Sequence, residues 1–124
     1  MITMRVGWPP SVNRYWRHPS SGALAGRHLI STEGRLYRSL VAESTRIYAI
    51  GAPLTGRLSV QLKAAPPDRR KRDLDNILKS LLDALTHAGV IEDDSQIDHL
   101  SITRMPPAAP GSVAITITTF QGTA

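Results

Sequence analysis

No cysteine occurs in the 124 residues, which removes disulfides, thiolate zinc sites and cysteine nucleophiles together. Any bound metal must therefore sit on oxygen or imidazole. No apolar run approaches the roughly 20 residues that a membrane helix requires, and the start, MITMRVGWPP, lacks the apolar stretch of a secretion signal. A cytoplasmic protein without a membrane partner is expected. There is no internal repeat, no heptad series and no Gly-rich phosphate loop. The four histidines, His18, His28, His87 and His99, form no i,i+4 pair, and a lone histidine is more often structural than a ligand. Acids are scarce outside one stretch: of ten, only Glu33 and Glu43 lie beyond the segment from Asp68 to Asp98.

That segment holds five bases against eight acids, net −3, whereas the remainder holds ten bases against two acids, net +8. A cationic body thus carries one acidic focus, a distribution suited to a polyanionic partner such as nucleic acid. With 41% hydrophobic and 20% charged residues the composition is that of a globular protein, and the length suits one domain with a single core.

Periodicity supplies the elements. Ile2 to Gly7 alternates and reads as a strand before Pro9-Pro10. WPPSVNRYWRH, Trp8 to His18, interleaves three of the six aromatics with Asn13, Arg14 and Arg17. Such a loop either stacks on bases while its arginines meet phosphates, or folds its tryptophan back onto the core. A short strand at Leu29 and Ile30 precedes Ser31 and Thr32, N-cap residues for a helix carrying Leu36, Tyr37, Leu40, Val41, Ile47 and Tyr48. On its other faces Arg35, Arg38 and Arg46 are either solvated or set to meet DNA. Leu58, Val60, Leu62 and Ala64 alternate with polar residues in the clearest half-buried strand. A second helix follows with a stripe of Leu74, Ile77, Leu78, Leu81, Leu82 and Leu85, and Gly89 ends it. Ile97 to Met105 and Val113 to Phe120 read as an antiparallel pair joined by PPAAPG. The expected fold is a single α+β domain, two helices packed on a mixed sheet.

The acidic focus begins at PDRRKRDLDN, where Arg69, Arg70, Lys71 and Arg72 abut Asp73 and Asp75. Bases that hold a phosphate chain beside carboxylates that hold a hard cation are what metal-assisted phosphodiester cleavage needs. Residues two apart point to nearly opposite sides of a helix, so Asp73 and Asp75 serve one metal only if Asp73 precedes the helix proper. A plainer alternative makes Asp73 the N-cap and Asp75, Lys79 and Asp83 a surface i,i+4 ladder contributing about 0.5 kcal/mol per pair. The further cluster Glu92, Asp93, Asp94 favours metal, because adjacent carboxylates repel and should raise some of their pKa values unless a cation offsets them.

Four motifs, WPPSVNRYWRH, DRRKRDLDN, LLDALTHAG and IEDDSQI, together resemble the RusA family of Holliday junction resolvases from about Trp8 to Ile117. The resemblance implies a homodimer that binds four-way junction DNA and nicks two strands of like polarity with Mg²⁺, Mn²⁺ being the alternative. Carried over by motif, the essential carboxylates and metal ligands are Asp73, Asp75 and Asp94, with Lys79 the catalytic lysine and Asp93 the neighbour not separable from Asp94. DNA contacts fall on Arg69, Arg70, Lys71, Arg72, Asn13, Arg14 and Arg17. Lys71 keeps charge among arginines but lacks a guanidinium fork. Rival readings are a non-catalytic DNA-binding module, in which the acids only cap and turn, and a metal nuclease acting on RNA or single strands.

Overall fold

Alternating burial builds the sheet. In the computed structural model, which describes residues 1–122, the strands are β1 (Ile2–Gly7), β2 (Trp16–Arg17), β3 (Leu29–Ile30), β4 (Leu58–Ala65), β5 (Ile97–Arg104) and β6 (Ser112–Thr119), and the helices are α1 (Val12–Tyr15), α2 (Thr32–Ile47) and α3 (Asp75–His87). Four strands form one sheet in the order β1-β6-β4-β5, and β2 with β3 forms a separate two-stranded ribbon. The inward residues Leu58, Val60, Leu62 and Ala64 of β4, Val113, Ile115 and Ile117 of β6, and Met4 and Val6 of β1 are all buried, and the helices pack on them. The α+β domain with α2 and α3 on a mixed sheet is as expected, with a third, short helix, α1, inside the aromatic loop. No helix among the described residues is long and apolar enough to cross a membrane.

The expected hairpin between the last two strands does not form. β6 runs antiparallel to both β1 and β4, while β5 pairs parallel with β4, Leu62 opposite Ile102. β4, the strand with the most continuous buried face, occupies the middle; β5, mostly exposed, takes the edge, where unpaired backbone is tolerated. The Pro-rich link steps around the end of β4, held there by Met105 N–H on Ala64 O and Ala108 N–H on Pro66 O, both 2.8 Å.

A parallel pair needs a crossover, and α3 supplies it. The helix returns antiparallel to β4 with Ile77, Leu81, Ala84 and Leu85 buried, while Leu74, Leu78 and Leu82 are half-buried. Each buried leucine or isoleucine contributes about 1.5–3 kcal/mol. Gly89, at φ 80°, takes the left-handed position that ends the helix. The N-terminus of α3 thus lies at the C-terminal ends of β4 and β5, and its C-terminus lies near their starts.

On α2 the buried residues are Tyr37, Val41 and Thr45, whereas Leu36, Leu40 and Ile47, expected on the packed stripe, are exposed. Ser31 caps the helix, its oxygen accepting from Gly34 N–H at 2.9 Å and its hydroxyl donating to Tyr15 O at 2.9 Å. A Cβ on Gly34 would overlap the Tyr15 carbonyl oxygen and come within 2.8 Å of Ile30 Cγ1. Gly34→Ala is therefore expected to destabilise the fold by about 1–3 kcal/mol, read as a lower midpoint in denaturant unfolding with an unchanged slope.

Candidate active site

A cleft of about 770 Å³ brings the aromatic loop to the basic run: Trp8 and Arg14 line one side, and Arg70, Lys71, Arg72 and Asp73 the other. Trp8 is half-buried and packs against the core, so it forms the cleft wall. Gly111 permits this, since at φ 91° it leaves only 2.9 Å between a would-be Cβ and both Trp8 Cβ and Pro67 Cδ. Asn13, Arg14 and Arg17 are exposed on α1 and β2.

The basic run divides in two. Arg72 donates to Asp68 Oδ1 at 2.6 Å, lies 6.0 Å above the Trp8 ring, and has its carbonyl held by Arg104 at 2.7 Å. It braces the turn into α3. Asp68 also accepts from Arg70 N–H at 2.9 Å. The Arg72 side chain, followed by that backbone bond, pulls the Asp68 carboxyl down to about 2. Arg69, Arg70 and Lys71 are exposed, Arg70 with a longer contact of 3.7 Å from its Nε to Asp68 Oδ2.

The acids also divide. Asp83, Asp98, Glu43 and Asp68 are all in ion pairs, with Arg38, Arg57, Arg46 and Arg72. Asp93 caps the 3-10 turn Asp94–Gln96 by accepting from Ser95 N–H at 2.9 Å, and the Ser95 side chain, followed by that backbone bond, lowers its pKa. The rise expected from repulsion within the Glu92 to Asp94 cluster is thus reversed at Asp93. Gln96, which the sequence did not single out, ties this turn down through Leu54 O at 2.9 Å and Gly56 O at 3.0 Å. Among the described residues, Asp73, Asp75 and Asp94, like Glu33 and Glu92, have exposed carboxylates with no ion pair or side-chain hydrogen bond. Their bare oxygens suit a hard cation.

Asp73 precedes α3, as a shared site with Asp75 requires, but it does not cap the helix through its side chain. The N-cap is Leu74, without a side-chain cap bond, and Asp73 contributes only its carbonyl, accepting from Asn76 N–H at 3.2 Å. The surface ladder is absent too. Asp75 and Lys79 form no ion pair, and neither do Lys79 and Asp83, the latter because Asp83 turns to Arg38 Nη2 at 2.8 Å and to the Tyr15 hydroxyl. Burial and then the bond to Asp83 push the Tyr15 pKa up. Arg38 folds inward rather than facing solvent, and Ser80 adds a bond to Pro10 O at 2.7 Å. Tyr15, Arg38, Asp83 and Ser80 therefore lock the aromatic loop to α3. Sequence reading missed this group because its members are 15 to 83 in chain position and carry no spacing signature.

Asp94 does not join Asp73 and Asp75. The 3-10 turn leads into β5 at Ile97, which pairs with Leu58 at the start of β4, whereas Asp75 opens α3 beside the end of β4. The 13 residues of α3 place roughly 20 Å between the two positions at about 1.5 Å per residue. No group of three or more His, Asp or Glu among the described residues converges as a metal cage.

Because its folded pKa is depressed, the Asp68 pair with Arg72 is present above the ordinary carboxyl range and is lost as pH falls through about 2. Side-chain NMR should find the Asp68 midpoint near that value, and Arg72→Ala should return it toward the usual range near 3.9. An unmoved midpoint would remove Arg72 as the brace of the turn.

The family model described as Endodeoxyribonuclease RusA matches residues 7–118. The chain is 40% identical over 114 residues to the "Crossover junction endodeoxyribonuclease rusA" of Enterobacteria phage HK97, covering 92% of this chain and 91% of the relative. It is 40% identical over 116 residues to the "Crossover junction endodeoxyribonuclease RusA" of Escherichia coli strain K12, covering 94% and 92%. Over 111 residues it is 40% identical to the protein of that name from Enterobacteria phage 82, covering 90% and 88%. With a family model matched over residues 7–118 and relatives 40% identical along nearly its whole length, the chain belongs to the RusA family of endodeoxyribonucleases.

Proposed function

We propose that this single domain, residues 1–124, is a Mg²⁺-dependent Holliday junction resolvase that acts as a homodimer on DNA in the cytoplasm. The observation that carries the reading is an unengaged Asp73 in the lining of a basic cleft, followed two residues on by the exposed, unengaged Asp75 in the first turn of α3, with Lys79 one turn along the same face as Asp75. When bound, Mg²⁺, or Mn²⁺ in its place, would supply an activated water and steady the charge developing on phosphorus. Asp73 and Asp75 would hold the ion; Asp94 would be the third ligand. Arg69, Arg70, Lys71, Asn13, Arg14 and Arg17 would grip the phosphates on either side, and Lys79 would neutralise charge at the phosphate under attack.

The distance within the chain supports the dimer. Asp94 lies roughly a helix length from Asp73 and Asp75, so a centre containing all three needs Asp94 from a second copy. A twofold arrangement would then form two such centres at once, one for each of two matching strands, and C2 closure is the commonest oligomer symmetry.

Asp75→Asn is expected to abolish Mg²⁺-dependent nicking of a labelled four-way junction while binding stays equal or tightens; cleavage at the unmutated rate would remove Asp75 from the site. Parallel incubations with duplex, single-stranded DNA and RNA would expose a different substrate class. Replacing Arg69 and Arg70 with Ala should lower the slope of log affinity against log salt by about 0.9 per charge. Arg72→Ala should lower it less, since its charge is held against Asp68 at 2.6 Å, whereas Arg70, 3.7 Å from the same carboxylate, is 83% exposed.

A further inference from the structure

Lys79 and Asp83 stand one helical turn apart on α3, the spacing at which a lysine and a carboxylate pair. In this structure they do not. Asp83 Oδ2 instead accepts from Arg38 Nη2 at 2.8 Å and Nε at 3.0 Å, and from the Tyr15 hydroxyl; Arg38 Nε also reaches the Tyr15 oxygen at 2.9 Å. Asp83 is thereby held by two groups from outside its helix. The Asp83 and Arg38 side chains keep only 30% and 21% of their exposure, and the Arg38 guanidinium lies 5.8 Å and 5.9 Å from the Tyr15 and Trp16 ring centres. Such a partly buried carboxylate, deprived of Arg38, would turn to the nearest cation. Along α3 that cation is Lys79.

We propose that Arg38 and Tyr15 are positioning residues for cleavage: they capture Asp83 so that the Lys79 ammonium stays unpaired and free for the scissile phosphate. The inference rests on the reading of Lys79 as a catalytic group. It accounts for the absence of a pair between Lys79 and Asp83, the acid one turn toward the C-terminus of α3. It also gives α1 and α2 a share in catalysis although neither carries a proposed catalytic group: Tyr15 comes from the first and Arg38 from the second.

The test is a cycle of variants read in two ways. Arg38→Gln should slow junction cleavage about tenfold, as expected if a charge-assisted hydrogen bond of ordinary strength now holds Lys79, with junction affinity little changed. Adding Asp83→Asn should restore the rate, because a neutral amide no longer captures the lysine. A slow double variant would overturn the proposal and leave Arg38 as ordinary packing. Tyr15→Phe, which removes one hydroxyl, should show the same pattern more weakly, and it replaces Arg38→Gln if that chain does not fold. The second readout needs no cleavage: the rate at which an amine-reactive reagent labels Lys79, followed by peptide mass spectrometry. Labelling should slow in Arg38→Gln and recover in the double variant; an unchanged rate would overturn the capture of Asp83. If Lys79→Ala cuts at the unmutated rate, the catalytic reading of Lys79 fails, while the labelling result still decides whether Arg38 keeps Asp83 from Lys79.

Discussion

The parallel crossover from β4 through α3 to β5 is the constraint on which the arrangement of this protein depends. Because β4 and β5 run the same way, the helix between them must return the full length of the sheet. That return sends the two parts of the acidic focus to opposite ends. Asp73 goes to the basic cleft with Asp75 just beyond it at the start of α3, and Asp94 goes to the turn before β5. Chain neighbourhood suggests one acidic patch; the crossover separates two groups of acids, the half-sites that the proposed twofold dimer would join.

Side-chain pairing then sorts the charges within each half-site. Arg72 is spent on Asp68 and Trp8, Arg38 on Asp83 and Tyr15, and Arg57 on Asp98. These pairs are partly exposed, so each adds little to folding by itself. Their effect is one of selection: they set which charges remain. Among the described residues, those left without an ion pair include Asp73, Asp75, Lys79 and Asp94, together with Arg69, Lys71 and Arg14, and also Glu33 and Glu92. Carboxylates set beside one another repel, as do neighbouring cations, and both repulsions are relieved when a divalent cation and phosphate arrive together.

Much of this was legible in the chain because it is local. Alternation marked β1, β4 and β6, the spacing of Ile77, Leu81 and Leu85 marked α3, Ser31 marked the start of α2, and Gly89 marked the end of α3. Pairing between strands is not local, and the Pro-rich link between β5 and β6 looks like a turn although it bridges across the end of β4. The candidate site was legible as a set of residues, since clustered Asp and Arg stand out in sequence. Its geometry was not. The i,i+4 spacing of Asp75, Lys79 and Asp83 suggested a ladder, because nothing in the spacing shows that Arg38 and Tyr15 reach Asp83 from 45 and 68 residues away. Likewise, Asp93 and Asp94 are indistinguishable by composition, and only the cap on Ser95 N–H separates the engaged carboxylate from the free one.

The central claim is that each cleavage centre draws Asp73 and Asp75 from one chain and Asp94 from the other, and the most direct test is complementation in a mixed dimer. Asp73→Asn and Asp94→Asn chains, each inactive as a homodimer, would be co-purified through two different tags and given a labelled four-way junction with Mg²⁺. One centre of the mixed dimer then contains both lesions and the other contains none. The account predicts that the mixed dimer nicks a single strand while either homodimer alone does not. If the three carboxylates came from one chain, both centres would be damaged, and a mixed dimer with no nicking above the homodimers would contradict the account.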